Sequence, residues 1–523
     1  MSKQRRDYDV VVLGGGSAGT AAALKAGSLG LKTLLIEKDA VGGEGLNTGC
    51  VPSKALIHAA RVAHTMASGG GVFPGHAVTR RQGAAALEYA RKSVARVREA
   101  STTQTALRQR GVEVKVGHAR FVDEDAIEIN GHRITANDFI LCAGSSPAVP
   151  DVPGLHEAGY LTNRTLWDLK EIPESLAVIG GGSVGVELAQ AFARLGSEVS
   201  LIEAGDHILP RDDNELSEML AGILRAEGVN VHLDATLTHV HSDAAGLSLR
   251  LQGYFGPSEV RCTDVLVATG RTPNVEGLNL EAASVQVGRH GVIADASLHT
   301  TGPRVWACGD IHGESAYAHM AIHEARRIVQ SIFLPVDAKP GFDAQPWATF
   351  TEPELAHLGL TEQEAANAGF TVDVLRFPFA QDDRAQADGE TAGLVKVITE
   401  GWRGRILGVH ILGPRAGELI NEWTLAVHHG LGVRAVADQV HVYPSLGMAS
   451  QNAALKWYET KSQEPSAQRA LSTYNKVREN PEPLLYTLAG VAAAGGLILA
   501  TKALVDRAKA REQAADAEDL DEQ

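Results

Sequence analysis

Asp9-Val10-Val11-Val12-Leu13-Gly14-Gly15-Gly16-Ser17-Ala18-Gly19 decides the fold of this chain. The run from Asp9 to Leu13 is short, apolar and β-branched, which predicts a buried parallel strand. Glycines at 14, 16 and 19 follow at once, and Thr20 to Ser28 is an alanine-rich helix former. Lys32 to Ile36 predicts a second strand, closed by Glu37. Strand, G-x-G-x-x-G, helix, strand and acid in that order make a dinucleotide-binding unit. The glycines let the backbone approach a pyrophosphate at the helix N-terminus, and the carboxylate accepts from a ribose hydroxyl. Gly14, Gly16, Ser17, Ala18, Gly19 and Glu37 are the cofactor contacts this unit predicts.

The unit recurs. Ser175 to Ile179 is a strand, Gly180-Gly181-Gly182-Ser183-Val184-Gly185 the loop, Val186 to Leu195 the helix, and Glu198 to Ile202 a strand that ends in Glu203. Glu37 follows Gly14 by 23 residues, and Glu203 follows Gly180 by the same 23. Two such units imply two dinucleotides, the second held by Gly180, Gly182, Val184, Gly185 and Glu203. A carboxylate at 203 repels a 2′-phosphate, which favours NADH, while an arginine such as Arg211 keeps NADPH possible.

The bulk properties frame these units. A chain of 523 residues is long enough for about three domains. A net charge of −15 and a pI near 5.7 argue against a nucleic-acid partner, which needs a basic face. The four cysteines, Cys50, Cys142, Cys262 and Cys308, form no C-x-x-C pair, as expected in a reducing cytoplasm. Cys142 and Cys308 lie in apolar runs and Cys262 at a strand start; all three are read as structural thiols. No metal ligands are assigned. Met1 to Arg6 is charged with no apolar run, so no signal peptide is expected.

Gly42-Gly43-Glu44-Gly45-Leu46-Asn47-Thr48-Gly49-Cys50-Val51-Pro52-Ser53-Lys54 resembles the active-site segment of the flavoprotein disulfide reductases, among them dihydrolipoamide dehydrogenase, glutathione reductase and mercuric reductase. The family pattern is G-G-x-C-x-N-x-G-C-x-P-S-K, with two cysteines that form a redox disulfide beside the flavin. This chain has glycine at 45, so the interchange thiol is missing, and Cys50 matches the charge-transfer thiol. Pro52 marks a first helical turn, which places Cys50 at the positive end of a helix dipole. The resemblance implies FAD on the first unit and a nicotinamide on the second, with Gly43, Thr48 and Lys54 at the flavin. It further implies an ion pair of Lys54 with Glu187 near the flavin N5.

Further matches extend the resemblance over residues 8 to 460. Gly117-His118-Ala119 resembles the adenine-contacting segment, and the turns ending in Gly144 and Gly270 resemble those that close each nucleotide domain. Val305 to Asp310 resembles the second FAD motif, where Asp310 holds the ribityl chain, with Ala318 and His319 following as cofactor positions. Phe350 to Glu362 and Ile406 to Ile420 resemble the dimerisation domain. The implied fold is α/β: two Rossmann-like domains, for FAD and NAD, and an α+β dimerisation domain in a homodimer. Expected boundaries are 1–150 and 281–340 for the FAD domain, 151–280 for NAD and 341–462 for the interface domain.

The family's dimerisation domain closes with H-x-H-P-T-x-S-E, donated across the dimer to the partner's active site, where the second histidine is the acid/base and the glutamate orients it. This chain reads His441-Val442-Tyr443-Pro444-Ser445-Leu446-Gly447-Met448, with Tyr443 for that histidine and Met448 for the glutamate. Mercuric reductases also lack the histidine, but they rely on an active-site cysteine pair and a C-terminal vicinal pair, and no cysteine follows Cys308. Residues 463–483 are polar and proline-bearing, as in a linker. Residues 484–505 are apolar apart from Lys502 and, as a helix of ~1.5 Å per residue, span roughly 33 Å, one bilayer core. That predicts a single transmembrane helix, a tail anchor in membrane lipid with the catalytic body in the cytoplasm. Residues 506–523 are an acidic tail.

These features predict an FAD-dependent NAD(P)H oxidoreductase without a disulfide, using Cys50, Lys54, Glu187 and Tyr443 and reducing a quinone or another small electron acceptor at the membrane. The alternatives are a single-cysteine NADH peroxidase or oxidase using Cys50, a mercuric or metal-ion reductase-like activity, and a non-catalytic flavin-bound membrane platform.

Overall fold

A computed structural model describes residues 6–76, 79–100, 103–244, 246–254, 256–313, 317–334 and 344–479. Val10, Val11 and Val12 are fully buried in the strand Tyr8–Leu13, the two-sided setting that β-branched side chains favour. This strand runs parallel to Thr33–Glu37, with Val10 opposite Thr33, and on its other side to His132–Leu141, with Val10 opposite Asp138. Glu113–Val116 extends the sheet beyond Thr33–Glu37. Val305–Ala307 returns from far downstream to lie parallel to His132–Leu141, with Val305 opposite Phe139.

The second sheet is also parallel, in the order Asn230–His232, Glu198–Ile202, Ser175–Ile179, Asp264–Val267. The third is antiparallel, in the order Pro346–Thr349, Glu354–Gly359, Arg405–Gly413, Leu394–Glu400, Val372–Pro378. Both glycine-loop helices start earlier than their apolar runs suggest, at Ser17 and Ser183, because Gly16 and Gly182 already stand as extended N-caps. Cys262 ends a strand, Gly256–Cys262, rather than starting one, and is buried.

One apolar cluster fixes the site. It joins Leu56 and Ala60 of the helix Cys50–Ser68 to Val178 and Phe192 of the second nucleotide unit and to Leu355 and Leu412 of the third sheet. Full burial of a side chain such as Leu56 is worth about 2 kcal/mol, so the helix carrying Cys50 and Lys54 is clamped against its neighbours. Lys396, itself buried, reaches Asp213 at 2.9 Å and Glu362 at 2.8 Å and ties the third sheet to the second unit.

The chain divides into two units, residues 1–454 and 455–523. In the second, Pro465–Glu479 is a helix where composition predicted a linker. Proline is favoured at a first helical position because its missing N–H has no partner there anyway, and Ala467, Arg469, Ala470 and Leu471 are helix formers. Among the described residues no helix is long and apolar enough to cross a membrane. The predicted span 484–505 and the acidic tail 506–523 lie outside the described residues.

Candidate active site

Both glycine-rich loops open into one cavity of about 1300 Å³. Each loop is built by the same close approaches. Gly14 and Gly180 have φ of +109° and +107°, in the region that favours glycine. A Cβ at Gly19 would lie 1.8 Å from the Gly14 carbonyl oxygen, and one at Gly185 would lie 1.9 Å from that of Gly180. Only glycine lets each helix come this near its strand. At Gly182 a Cβ would meet nothing within 4 Å, which leaves a cradle in the cavity wall. Glu37 accepts from the Gly15 N–H at 2.6 Å and the Asp39 N–H at 2.8 Å. Glu203 repeats this with the Gly181 N–H at 2.6 Å and the Gly205 N–H at 2.8 Å. These residues fit two dinucleotides.

The predicted flavin-side residues gather on this cavity. Gly14, Gly16, Ser17, Ala18 and Glu37 line it, as do Gly43, Thr48, Cys50, Lys54, His118 and Ala119. Gly144, Asp310, Ala318 and His319 complete that side, and Gly182, Val184, Glu187 and Gly270 come from the second unit. Gly19, Gly180 and Gly185 shape the loops without lining the cavity, and Glu203 holds loop backbone.

Cys50 begins the helix Cys50–Ser68, with Gly49 as its N-cap, so its thiol does stand at the helix N-terminus, and it is exposed. All four cysteines are free thiols. Lys54, one turn further on, meets Glu187 at 2.7 Å. The second Glu187 oxygen accepts from the Phe350 N–H at 2.8 Å, and the Lys54 ammonium lies 4.5 Å from the centroid of the Phe350 ring. One carboxylate therefore joins three segments: the Cys50 helix, the second nucleotide unit and the third sheet.

Tyr443 stands apart. It is exposed, its hydroxyl donates to Asp383 at 2.9 Å, and that bond to a carboxylate raises its pKa. It does not line the cavity of its own chain. His441, two residues earlier, pairs with Glu422 at 2.9 Å.

Sequence reasoning missed two groups. The first is Glu44, whose carboxylate meets Arg271 at 2.6 Å and Arg164 at 3.2 Å and accepts from the Asn163 amide at 2.8 Å. Burial pushes this acid up, but the two guanidiniums prevail and hold it below its ordinary range. Arg271 also lies 3.4 Å from Asp310, so the redox segment and the second FAD motif share one cation. Glu44 stands in the quoted segment and Arg271 directly follows the turn ending in Gly270, yet no local pattern pairs them. The second group is Asp212, Tyr317 and Trp347 on the cavity wall, joined by Arg211, which sequence reasoning had weighed only against a 2′-phosphate. Arg211 lies over the Trp347 and Tyr317 rings. Burial pushes the Asp212 carboxyl up to about 7.

Two nucleotide loops on one cavity, a cysteine at a helix N-terminus and a third, antiparallel sheet are the parts of a two-dinucleotide flavoprotein reductase. Residues 8–325 match the pyridine nucleotide-disulphide oxidoreductases and residues 345–454 match the dimerisation domain of that family, so the chain belongs to it. Its cofactors are FAD and NAD(P)H. It is 33% identical over 457 residues to a mercuric reductase of Staphylococcus aureus, with 86% of this chain and 82% of the relative covered. To a dihydrolipoyl dehydrogenase of Thermus scotoductus it is 37% identical over 461 residues, covering 86% and 97%. Among solved structures, the HOCl-induced flavoprotein disulfide reductase RclA from Escherichia coli superposes with a TM-score of 0.76 at 28% identity, over 85% of this chain and 99% of that one. The dimerisation domain carries exposed apolar side chains, Leu425, Val440 and Val442, as a homodimer face requires.

Proposed function

We propose that this chain is an FAD-dependent NADH oxidoreductase that delivers an electron pair to a small acceptor without disulfide exchange, the acceptor being a quinone at a membrane surface. One observation carries this reading: Lys54 and Glu187 are paired on the cavity, while the redox segment holds a single thiol, Cys50, with glycine at position 45. Disulfide exchange needs an attacking thiolate, a resolving thiol and a proton donor. Positions 45 and 443 lack two of the three. Gly14, Gly16, Ser17 and Asp310 would hold FAD, which would supply hydride acceptance from NADH and release of the electron pair. Lys54, oriented by Glu187, supplies the cation that steadies negative charge developing beside it. Glu203 disfavours a 2′-phosphate, which supports NADH as the donor. A partner subunit's Tyr443 caps the acceptor side. The apolar stretch 484–505 anchors the protein where lipid-soluble quinones concentrate. A mercuric ion, the substrate in the names of several relatives, is less favoured because no cysteine follows Cys308.

The exposure of Cys50 at a helix N-terminus favours a second reading, peroxide reduction through a sulfenic acid on that thiol. Cys50→Ser separates the two. NADH:quinone turnover that survives the substitution supports the first reading. Peroxide turnover that is abolished by it, with no quinone turnover in the unaltered protein, overturns it. If NADH fails to reduce the bound flavin, both readings fall and a non-catalytic membrane platform remains.

A further inference from the structure

Part of the cavity wall is aromatic. The Tyr317 and Trp347 rings lie within 7° of parallel, with centroids 5.6 Å apart. The buried His357 stacks on Trp347 at 3.6 Å and 10°, which holds the indole in place. The Arg211 guanidinium lies 5.0 Å from the Trp347 centroid and 5.7 Å from that of Tyr317. The indole N–H donates to Asp212 Oδ1 at 2.9 Å, and Asp212 makes no ion pair among the described residues. Arg211, Asp212, Tyr317 and Trp347 all line the cavity that receives both glycine loops.

A guanidinium is flat and electron-poor, and it rests on electron-rich ring faces. The place that Arg211 occupies suits any flat, electron-poor group. Arg211 is exposed, so it can swing aside at small cost, whereas Trp347 is fixed by His357 and by its bond to Asp212. Asp212 is buried with one oxygen on the indole and the other uncommitted, within the same wall.

We propose that Trp347 and Tyr317 form the shelf on which a planar quinone ring stacks, and that Asp212 delivers a proton to it; this rests on the quinone reading above. The step balances. A quinone gains two electrons and two protons to become a quinol, and both C=O groups become C–OH. A hydride equivalent derived from NADH supplies two electrons and one proton, leaving NAD⁺. The Asp212 carboxyl supplies the second proton and regains it from solvent. Arg211 faces the developing oxyanion. The charged and titratable groups around Asp212 are Arg211, Asp213 with its partner Lys396, Tyr317, and His357, stacked on the indole, with His410. Asp212, neutral up to about pH 7, holds its proton over the range in which it must give it.

Equilibrium dialysis of menadione against the oxidised FAD-loaded protein tests the shelf, and the pH dependence of NADH:menadione turnover tests the acid. Variants are compared at equal FAD content. Trp347→Leu weakens menadione binding at least tenfold, in line with the loss of one stacking face. Asp212→Asn leaves binding within threefold but abolishes the fall in turnover above about pH 7. Arg211→Gln, on an exposed side chain, shifts menadione binding without loss of FAD and covers the case in which Trp347→Leu does not fold. Menadione turnover in the unaltered protein, with binding and pH profile untouched in all three variants, overturns this proposal and leaves the quinone reading standing. A change confined to the KM for NADH assigns the shelf to the nicotinamide and also overturns it. No menadione turnover in the unaltered protein overturns both.

Discussion

The Lys54–Glu187 pair is the contact on which the site's electrostatics rest, and its coupling energy follows from its surroundings. At 2.7 Å and an effective dielectric of 20, the Coulomb attraction is about 6 kcal/mol before desolvation. The Glu187 side chain is 5% exposed and Lys54 36%, so the acid is desolvated while the ammonium keeps part of its water. An exposed pair is worth under about 1 kcal/mol, and breaking a fully buried one costs about 3–5 kcal/mol. The partly exposed lysine places this pair between them, at a coupling of about 1–2 kcal/mol. A cycle of Lys54→Met, Glu187→Gln and the double variant isolates it. Glutamine keeps an oxygen for the Phe350 N–H, so the third sheet stays attached and the pair term alone is read. Urea midpoints, followed by release of flavin fluorescence, give the stability coupling. The rate of flavin bleaching by NADH falls at least tenfold in each single variant, and the double variant is no slower than the worse single one. Additive effects in both readouts, with coupling under about 0.5 kcal/mol, would refute the pairing as the source of either.

Three further outcomes are expected. A Cβ at Gly45 would meet only Ser17 Oγ, at 3.2 Å, so a side chain fits once that hydroxyl turns. Gly45→Cys therefore folds, binds FAD and gains a disulfide between the introduced thiol and Cys50, seen as two thiols lost to a thiol titrant on oxidation; two persistent free thiols contradict this. Gly185→Ala drives a methyl into the Gly180 carbonyl oxygen at 1.9 Å and weakens NADH binding at least tenfold while FAD stays bound, as read by the dissociation constant for NADH. The Asp212 carboxyl is raised to about 7 in the fold against 3.8 unfolded, so the folded form is favoured while the acid is protonated. Stability is then full below pH 4, falls as pH rises from about 4 to 7, and levels off above, a total of at most about 4 kcal/mol. Asp212→Asn escapes this loss, and its melting temperature exceeds that of the unaltered protein increasingly from pH 4 to 7; a constant difference across that range contradicts the burial of the acid.

The nucleotide units were legible because their chemistry is local. Gly14 to Glu37 and Gly180 to Glu203 each pack strand, turn, helix and acid into one short stretch, and the shared spacing carried through to matching bonds on Gly15 and Gly181. The Lys54–Glu187 pair was legible only through the family resemblance, since nothing near either residue points to the other. The Glu44–Arg271 pair and the Trp347 shelf were not legible. Asp212 and Trp347 are 135 residues apart, and their meeting depends on how the third sheet packs on the second unit. The helix Pro465–Glu479 was misread because polar composition and a proline suggest a linker, whereas proline at a first helical position starts a helix. Tyr443 was singled out only through the family motif, as a residue serving the partner subunit's site, and within its own chain it meets Asp383.

The central claim is that electrons leave this protein without a thiol. Stopped-flow absorbance under anaerobic conditions tests it most directly: the protein is first bleached with one equivalent of NADH and then mixed with menadione or with hydrogen peroxide, each as the unaltered protein and as Cys50→Ser. Rapid return of the oxidised flavin spectrum with menadione, at rates within threefold in the two proteins, is the predicted result. Return with peroxide alone, lost in Cys50→Ser, contradicts the claim and makes the Cys50 thiol the catalyst.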